Sequence, residues 1–522
     1  MVLGGYSLVY KTPKRRTAYL LAVSLFFYFK TSGIFLLLLL FTICSDYFWG
    51  RKIVEATSTG KRKFYLTMSV LLNLILLCYF KYAYFFTESY NQLLETNVPF
   101  FNHFAQFSNS FFGTSFSVTK LLVPVGVSFF TFQSLSYTID MYRKKVEPVR
   151  NVMDYGFFVC FFPHLVAGPI VKAHDFIDQI YKPYELSRRD FGMALFWILN
   201  GFCKKITADY IAVNFVDRIF DNPNYYSGPE VASGIFGYSL QIYMDFSGYT
   251  DMAIGLALIL GFRLKPNFNS PYKAASTSEF WKRWHISLSS WLQEYLYFPL
   301  GGNRNGSLGS YVALGVIFIF LVLLTGELWL LYVLMVLASL LAMAALISLK
   351  IKQAINTNIN LMVTMLLGGL WHGSSWLFVI WGGLNGIGLV IHKLWQKISP
   401  FKNNETWPVR VVMIAVTLTF ISFTRIFFRS NDMATVQMIF ERMRFHSDWS
   451  LLPQIIKGYA TVFAVMAIGY IIHWIPEPAK QKYRLWFADM PHAGQIMIAV
   501  MLVFAMYQLM SGEMQPFIYF QF

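Results

Sequence analysis

Charged side chains are scarce in this 522-residue chain, where Asp, Glu, Lys and Arg make up 13% and hydrophobic residues 56%. A soluble protein of this length would lack the polar surface that keeps it dispersed. Apolar runs of roughly 20 residues, long enough to cross a ~30 Å hydrocarbon core, recur along the sequence. The short alternating segments typical of a membrane β-barrel are missing. The composition therefore predicts an all-α polytopic membrane protein.

Cysteine is equally rare. The chain has four, Cys44, Cys78, Cys160 and Cys203, far apart and without a C-x-x-C pair. This spacing predicts neither a disulfide framework nor a zinc site. The first residues lack an apolar stretch followed by a small-residue cleavage site, so we expect no cleavable signal peptide. The membrane helices themselves would then direct insertion.

Several catalytic signatures are also absent from the sequence. It contains no glycine-rich phosphate loop with Lys and Ser/Thr, no H-E-x-x-H and no G-x-S-x-G. These absences argue against NTP hydrolysis, zinc proteolysis and α/β-hydrolase chemistry.

The chain does have an excess of positive charge, +16 at pH 7. In a membrane protein, Lys and Arg concentrate in cytoplasmic loops and face anionic lipid. No basic stripe with interleaved aromatics is present, so nucleic acid is not expected as a partner. The basic clusters that we take as topology signals are residues 11–16, 51–63, 142–150, 182–189 and 478–484.

Segments with the length and hydropathy of membrane helices follow one another through the sequence. They are residues 17–29 with 33–49 (a short hairpin), 64–86, 119–140, 152–170, 190–212, 231–261, 309–326, 328–349, 361–396 (one or two helices), 408–428, 455–475 and 492–512. We expect about 11–14 membrane helices, counting re-entrant and interfacial ones. No internal repeat or low-complexity linker divides them, so residues 1–522 are predicted to form a single membrane-embedded domain.

Two further segments have helical periodicity but are not predicted to span. Residues 278–297 repeat apolar side chains on one face, while Lys282, His285, Ser289 and Gln293 fall on the other. We expect this helix to lie in the membrane interface or to enter as a re-entrant piece. Residues 431–445 predict a shorter amphipathic helix.

His372 lies within the apolar stretch 361–396, which is too long for one ordinary span. Gly368, Gly369 and Gly373 allow backbones or a ligand to approach closely, so a helix break near His372 is predicted. A histidine on an apolar segment is more often a satisfied core residue than a catalyst. Its setting at a break nevertheless favours a substrate site, where imidazole can accept a hydroxyl proton near pH 7.

Asp245 and Asp251 are the acidic groups inside the apolar run 231–261. Six residues apart, they point about 120° from each other on a helix, so a shared-proton pair is disfavoured. Either could orient a histidine or pair with Lys282 or Arg283, and structural pairing is as well supported as catalysis. His285, in a tryptophan-rich helix, and His164, in "FFPHLVAGP", are further candidates beside the simpler interpretation as packed or interfacial histidines.

Five blocks in consistent order resemble the membrane-bound O-acyltransferases, in particular the subgroup typified by alginate O-acetylation membrane proteins. The blocks are residues 123–143, 161–173, 243–262, 267–306 and 366–386, and the closing "QPFIYFQF" (515–522) is also similar. Core motifs then occupy 120–396, with C-terminal helices in 408–522. Residues 308–352 depart from the family pattern and predict an additional membrane hairpin. The first membrane helix also looks curtailed.

The resemblance implies helices around a central funnel or tunnel, with His372 catalytic and His285 the second essential histidine. It implies an acyl thioester donor, acetyl-CoA or another carrier, with no bound cofactor or metal. The acceptor would be a hydroxyl of an exported polysaccharide such as alginate, reached directly or through an extracytoplasmic acyltransferase partner. A bacterial inner-membrane location follows. The residues expected to help bind substrates are Trp371, Ser374, Asp245, Asp251, Lys282, Arg283, Trp284 and Asn303.

Three alternatives remain at this stage. D-alanyl transfer to teichoic acid is the nearest, although those proteins look shorter than this chain. A proton-coupled transporter using His372, Asp245 and Asp251 would be expected to show inverted repeats, and none is evident. A scaffold for polysaccharide export is the third.

Overall fold

Every regular element in the described part of the chain is a helix. The computed structural model describes residues 2–119, 123–401, 406–510 and 515–518. Parts of the predicted segments 119–140 and 492–512, and the last four residues of the motif at 515–522, therefore lie outside the described residues. The predicted all-α class is confirmed.

Six helical stretches among these residues are long and apolar enough to cross a membrane. A seventh arises if Trp449–Gly458 and Ala460–Trp474, which meet at a 93° bend, form one crossing. The predicted number of 11–14 membrane helices also included interfacial and re-entrant helices. Two further long helices, Arg188–Ile211 and Gly228–Ile259, carry ionic side chains and are not among the six.

The contacts group the chain into two compact units. The first comprises the residues up to Val166, then Ile170–Tyr184 and Ser290–Leu367. Its α-helices are Val2–Val9, Pro13–Ser32, Leu36–Glu55, Thr59–Leu77, Ala83–Leu94, His103–Phe112, Val127–Tyr142, Val152–Cys160, Phe162–Leu165, Ala173–Ile180, Leu308–Thr325, Leu328–Ile347 and most of Leu349–His372. Short 3₁₀ and π segments at Gly33–Phe35, Cys78–Tyr82 and Gln293–Tyr297 join or extend them.

The second unit comprises Ala167–Pro169, Glu185–Ser289 and Gly368–Phe522. Its α-helices are Arg188–Ile211, Asp217–Asp221, Gly228–Ile259, Thr277–Arg283, the start of Ile286–Leu292, Trp376–Ile398, Trp407–Arg429, Met433–Phe445, Leu452–Gly458, Ala460–Trp474, Glu477–Asp489 and His492–Leu509. A π segment at Ala212–Val216 and 3₁₀ turns at Pro223–Tyr225, Pro271–Lys273 and Trp449–Leu451 complete it. Met433–Phe445 confirms the short helix predicted at 431–445.

The first unit begins with a helical hairpin, as the sequence predicts. A β-carbon on Gly156 would lie 3.5 Å from Leu21 and 3.4 Å from Ile43. These two residues would be about 33 Å apart along one straight helix. The chain therefore turns back between them, at the 3₁₀ segment that starts with Gly33 in the left-handed region (φ 56°).

Helices Leu308–Thr325 and Leu328–Ile347 form the additional hairpin expected in 308–352. In Trp329–Ile347, none of the most apolar window is buried within the protein. The base of the hairpin is fixed by polar contacts, because Ser310 Oγ donates to Asn360 Oδ1 (2.7 Å) and Tyr311 donates to Asn356 Oδ1 (3.0 Å). The hairpin thus presents an apolar surface suited to lipid.

Arg188–Ile211 and Gly228–Ile259 pack closely at the centre of the second unit. A β-carbon on Gly201 would lie 2.4 Å from the carbonyl oxygen of Gly248, so only glycine permits this approach. Close packing brings Lys204 and Lys205 onto the acidic groups of the neighbouring helix, where both ion pairs are largely shielded from solvent.

The predicted helix 278–297 is wrong at its centre. It breaks between Thr277–Arg283 and Ile286–Leu292. The apolar periodicity continues through the break because Phe280, Trp284 and Leu288 are all buried in the protein. Their spacing therefore could not reveal the interruption.

Candidate active site

His372 is the last residue of helix Leu349–His372, and the next helix starts at Trp376. The break predicted from the glycines is confirmed. A β-carbon on Gly369 would lie 2.3 Å from the carbonyl oxygen of Phe378, so the two helices approach closely at this point. His372 is 4% exposed.

His285 lies in the second break and has a left-handed backbone (φ 44°), which is uncommon for a residue other than glycine. The loop at Asn267 holds this conformation in place. The carbonyl oxygen of Asn267 accepts from the Ile286 N–H (2.9 Å), and its side-chain Oδ1 accepts from the N–H (3.0 Å) and hydroxyl (2.9 Å) of Ser287. A costly conformation maintained by surrounding contacts is typical of functional sites.

The two breaks bring the two histidines together. The ring centroids of His285 and His372 are 6.2 Å apart, and Trp371 lies 6.0 Å from His285 and 5.0 Å from His372. His285 is completely buried, and burial lowers its pKa to about 3, so its imidazole is neutral at pH 7.

A small cavity adjoins His372, with free space for about one water molecule. Most of its wall is apolar, with a few polar groups between. The lining residues are Ile242, Phe280, Trp284, His372, Trp381, Asn385, Ile421, Thr424, Arg425 and Phe428. The wall thus combines a base with a fixed positive charge in surroundings of low polarity.

Asp245 and Asp251 pair with neighbouring lysines instead of with Lys282 or Arg283. Lys205 Nζ lies 2.7 Å from the Asp245 carboxylate, and Lys204 Nζ lies 2.6 Å from that of Asp251. Each carboxylate also accepts another hydrogen bond, from the Ile518 N–H (2.9 Å) at Asp245 and from Asn200 Nδ2 (2.7 Å) at Asp251. These contacts join the helices and the segment 515–518 into one structure.

The other expected substrate-binding residues lie in different settings. Trp284 lines the cavity, and Ser374 lies half-buried in the break after His372. Arg283 binds Glu279 (2.8 Å), and Lys282 is exposed. Asn303, in the first unit, accepts a hydrogen bond from Tyr297 (2.7 Å).

His164 is a core residue of the first unit. Its Nε2 lies 3.1 Å from the carbonyl oxygen of Phe158, and the rings of Phe161 and Phe176 pack against it. This matches the simpler interpretation of a packed histidine.

The first unit also holds a cluster with the residue types of a metal site. Asp140, His174 and Glu294 place one ligand atom each within 4.8 Å of one another. However, His174 Nδ1 bonds Asp140 Oδ2 (2.8 Å), and the Glu294 carboxylate binds both Lys145 and Lys172. Burial alone would raise the pKa of Glu294, but the two lysines lower it to about 2. Because Asp140 Oδ2, His174 Nδ1 and both Glu294 carboxylate oxygens already have partners, the cluster is best described as an ion-pair network.

Arg425 is a charged residue of the cavity wall that was not among the site residues predicted from the sequence. The signal was available, because an arginine inside the predicted span 408–428 is costly in a bilayer. Asn385 and Thr424 gave no comparable signal, since single amide and hydroxyl groups are common in membrane helices.

Comparison with known proteins places this chain in a family. Residues 56–358 match the sequence profile of MBOAT, the membrane-bound O-acyltransferase family. The probable alginate O-acetylase of Azotobacter vinelandii is 32% identical over 99% of this chain and 96% of its own. The Helicobacter pylori peptidoglycan O-acetyltransferase is 30% identical over 83% of this chain and 74% of its own. The Bacillus subtilis teichoic acid D-alanyltransferase is 24% identical over 58% of this chain and 68% of its own. This multi-pass chain belongs to the membrane-bound O-acyltransferase family and is an O-acyltransferase.

Proposed function

We propose that this protein transfers an acetyl group from a cytosolic thioester toward hydroxyl groups of an exported polysaccharide. The observation that carries the proposal is the meeting of two buried imidazoles beside a small cavity. The names of the alginate O-acetylase and peptidoglycan O-acetyltransferase relatives support acetyl as the acyl group and a cell-surface glycan as the acceptor.

In the proposed reaction, His372 accepts the proton of the acceptor hydroxyl as its oxygen attacks the thioester carbonyl carbon. A tetrahedral intermediate forms, and the carbon–sulfur bond then breaks. The departing thiolate takes the proton from the His372 imidazolium, so the products are an ester and a free thiol. So small a cavity favours a short acyl group over a long chain.

We assign His285 a different task from His372. As a neutral, fully buried imidazole, it offers a hydrogen bond rather than a fixed charge. Its strained backbone, held by Asn267, fixes the ring direction. We therefore propose that it orients the reacting groups.

The remaining components follow from the same chemistry. The donor is acetyl-CoA or an acetylated carrier on the cytosolic face of a bacterial inner membrane. An extracytoplasmic acyltransferase partner completes the transfer to the polymer when the chain does not do so itself. We also propose that residues 1–522 act as one catalytic domain.

D-alanyl transfer to teichoic acid is the alternative with a specific observation behind it. The Bacillus subtilis relative with that name matches 58% of the chain, compared with 99% for the Azotobacter vinelandii relative. The broader match favours acetyl transfer.

The test uses the full-length protein in liposomes, with radiolabelled acetyl-CoA on one side and acetylatable polysaccharide on the other. We expect labelled polymer from the wild-type protein and a loss of at least ~10²-fold for His372→Ala. His446→Ala, which alters an exposed histidine, is the matched control and should retain activity. Full activity of His372→Ala would refute the assigned base, and label transfer only from a D-alanyl carrier would support the alternative.

A further inference from the structure

Arg425 is a permanent positive charge in the wall of the cavity that holds His372. It lies on the apolar helix Trp407–Arg429 and is 3% exposed. A charged group in such surroundings is expensive unless something compensates it. The contacts of Arg425 should therefore show what offsets the cost of burying its charge.

The guanidinium uses only part of its hydrogen-bonding capacity. Nη1 donates to the carbonyl oxygen of Ser239 (2.9 Å) and to the hydroxyl of Tyr272. The guanidinium carbon also lies 4.4 Å from the ring centroid of Trp284. Within the described part of the chain, Nε and Nη2 have no hydrogen-bond acceptor, and no carboxylate lies within ion-pair distance.

Arg429, one turn further along the same helix, shows the contrast. Its guanidinium lies 2.8 Å from the Asp217 carboxylate and 3.5 Å from that of Asp221. The protein thus neutralises the arginine outside the cavity wall and leaves the one in the wall with unused donors. A ligand oxygen with negative charge would complete the coordination of Arg425.

We propose that Arg425 is a catalytic residue that binds the acyl carbonyl oxygen and stabilises the negative charge on it during transfer. The inference rests on the proposed function. As the hydroxyl oxygen attacks the carbonyl carbon and His372 takes the proton, the carbonyl π electrons move onto the oxygen. The Nε and Nη2 donors of Arg425 bind that oxyanion, and it reforms the carbonyl when the carbon–sulfur bond breaks. Donors aimed at developing charge in a dry site are the strongest form of such stabilisation.

A purely structural role makes a different prediction. If Arg425 only joins Ser239 and Tyr272, its removal should lower folding stability and leave the chemistry of the surviving folded protein intact. An oxyanion-binding role instead lowers kcat with a smaller effect on KM. The two roles therefore separate in kinetic measurements on folded protein.

The experiment compares Arg425→Met, Arg425→Lys and Arg425→Ala in liposomes, with acetyl transfer measured per folded molecule. Arg410→Met, on the same helix but half-exposed, is the matched control and should keep the wild-type kcat. We expect Arg425→Met to lower kcat about 10²–10³-fold. Arg425→Lys should recover part of the loss through its charge, and added guanidinium should partly restore Arg425→Ala.

An unchanged kcat in Arg425→Met overturns the proposed catalytic role of Arg425. The role is also overturned if activity is lost together with a lowered unfolding temperature and neither Arg425→Lys nor added guanidinium restores it. A wild-type protein that transfers no acyl group from any thioester contradicts the proposed function itself, whereas an active wild type with an equally active Arg425→Met contradicts only this inference.

Discussion

His285 combines a backbone constraint with a side-chain role, and the two can be separated by substitution. The left-handed backbone (φ 44°) disfavours most residues other than glycine by about 1–2 kcal/mol, but asparagine tolerates it better than β-branched residues. Position 285 is therefore restricted even before the imidazole is considered.

We expect His285→Val to be less stable than His285→Asn by about 1–2 kcal/mol, because valine adopts the left-handed region poorly. Both variants should lose acetyl transfer, since neither carries an imidazole. Thermal unfolding in detergent and transfer assays in liposomes measure the two effects. The same pair at exposed His446, whose φ is −123°, should differ little in stability. If His285→Asn remained active, the imidazole of His285 would not be needed for acetyl transfer.

The helix break at His372 depends on glycine packing. Any side chain at Gly369 would meet the backbone of the next helix, at the Phe378 carbonyl and at Gly382 Cα 3.0 Å away. Because both opposing atoms belong to a helix backbone, rotating a side chain cannot relieve the contact. The position of His372, three residues later, therefore depends on this glycine.

Gly369→Ala should accordingly destabilise the protein by about 1–3 kcal/mol and reduce acetyl transfer. Gly315→Ala is the control, because a β-carbon there meets nothing within 4 Å and alanine favours a helix interior. Unfolding temperature and activity of the two variants check the prediction. Equal behaviour of the two would show that the close approach at Gly369 is not required.

The two helix breaks differ in how far the sequence reveals them. Gly368, Gly369 and Gly373 mark the break at His372 locally, so it is predictable. The break at His285 depends on Asn267, which lies 20 residues from its hydrogen-bond partner Ser287. No local periodicity records that contact, and the same limit hides the pairing of Arg425 with Ser239, 186 residues away.

Across the whole chain, hydropathy was enough to predict the helical class but not the division into two units. One of the five boundaries between the units falls inside helix Leu349–His372, between Leu367 and Gly368. Hydropathy does not mark that point, because contacts between distant residues define the units. Candidate histidines were predictable from burial in apolar segments, whereas the ion pairs of Asp245 and Asp251 required the packing of neighbouring helices.

Acid should weaken the protein through Glu294. Its folded-state pKa of about 2 is below the ordinary 4.5, so the stability it contributes is present above pH 4.5 and is lost as pH falls toward 2. Glu294→Gln should therefore lower the unfolding temperature at pH 7 and make little difference at pH 2 and below. Measuring the unfolding temperature of both proteins from pH 7 down to pH 2 tests this prediction. The control is Glu441→Gln, which alters an exposed glutamate. A constant difference at every pH would contradict the assignment.

The contact between Ile518 and Asp245 has a consequence for biosynthesis. Helices Arg188–Ile211 and Gly228–Ile259 are close in sequence, so Lys204 and Lys205 are synthesised within about 50 residues of their partner carboxylates. Ile518 is made 273 residues after Asp245, yet its N–H completes the coordination of that carboxylate. The coordination of Asp245 is therefore complete only after Ile518 has been synthesised.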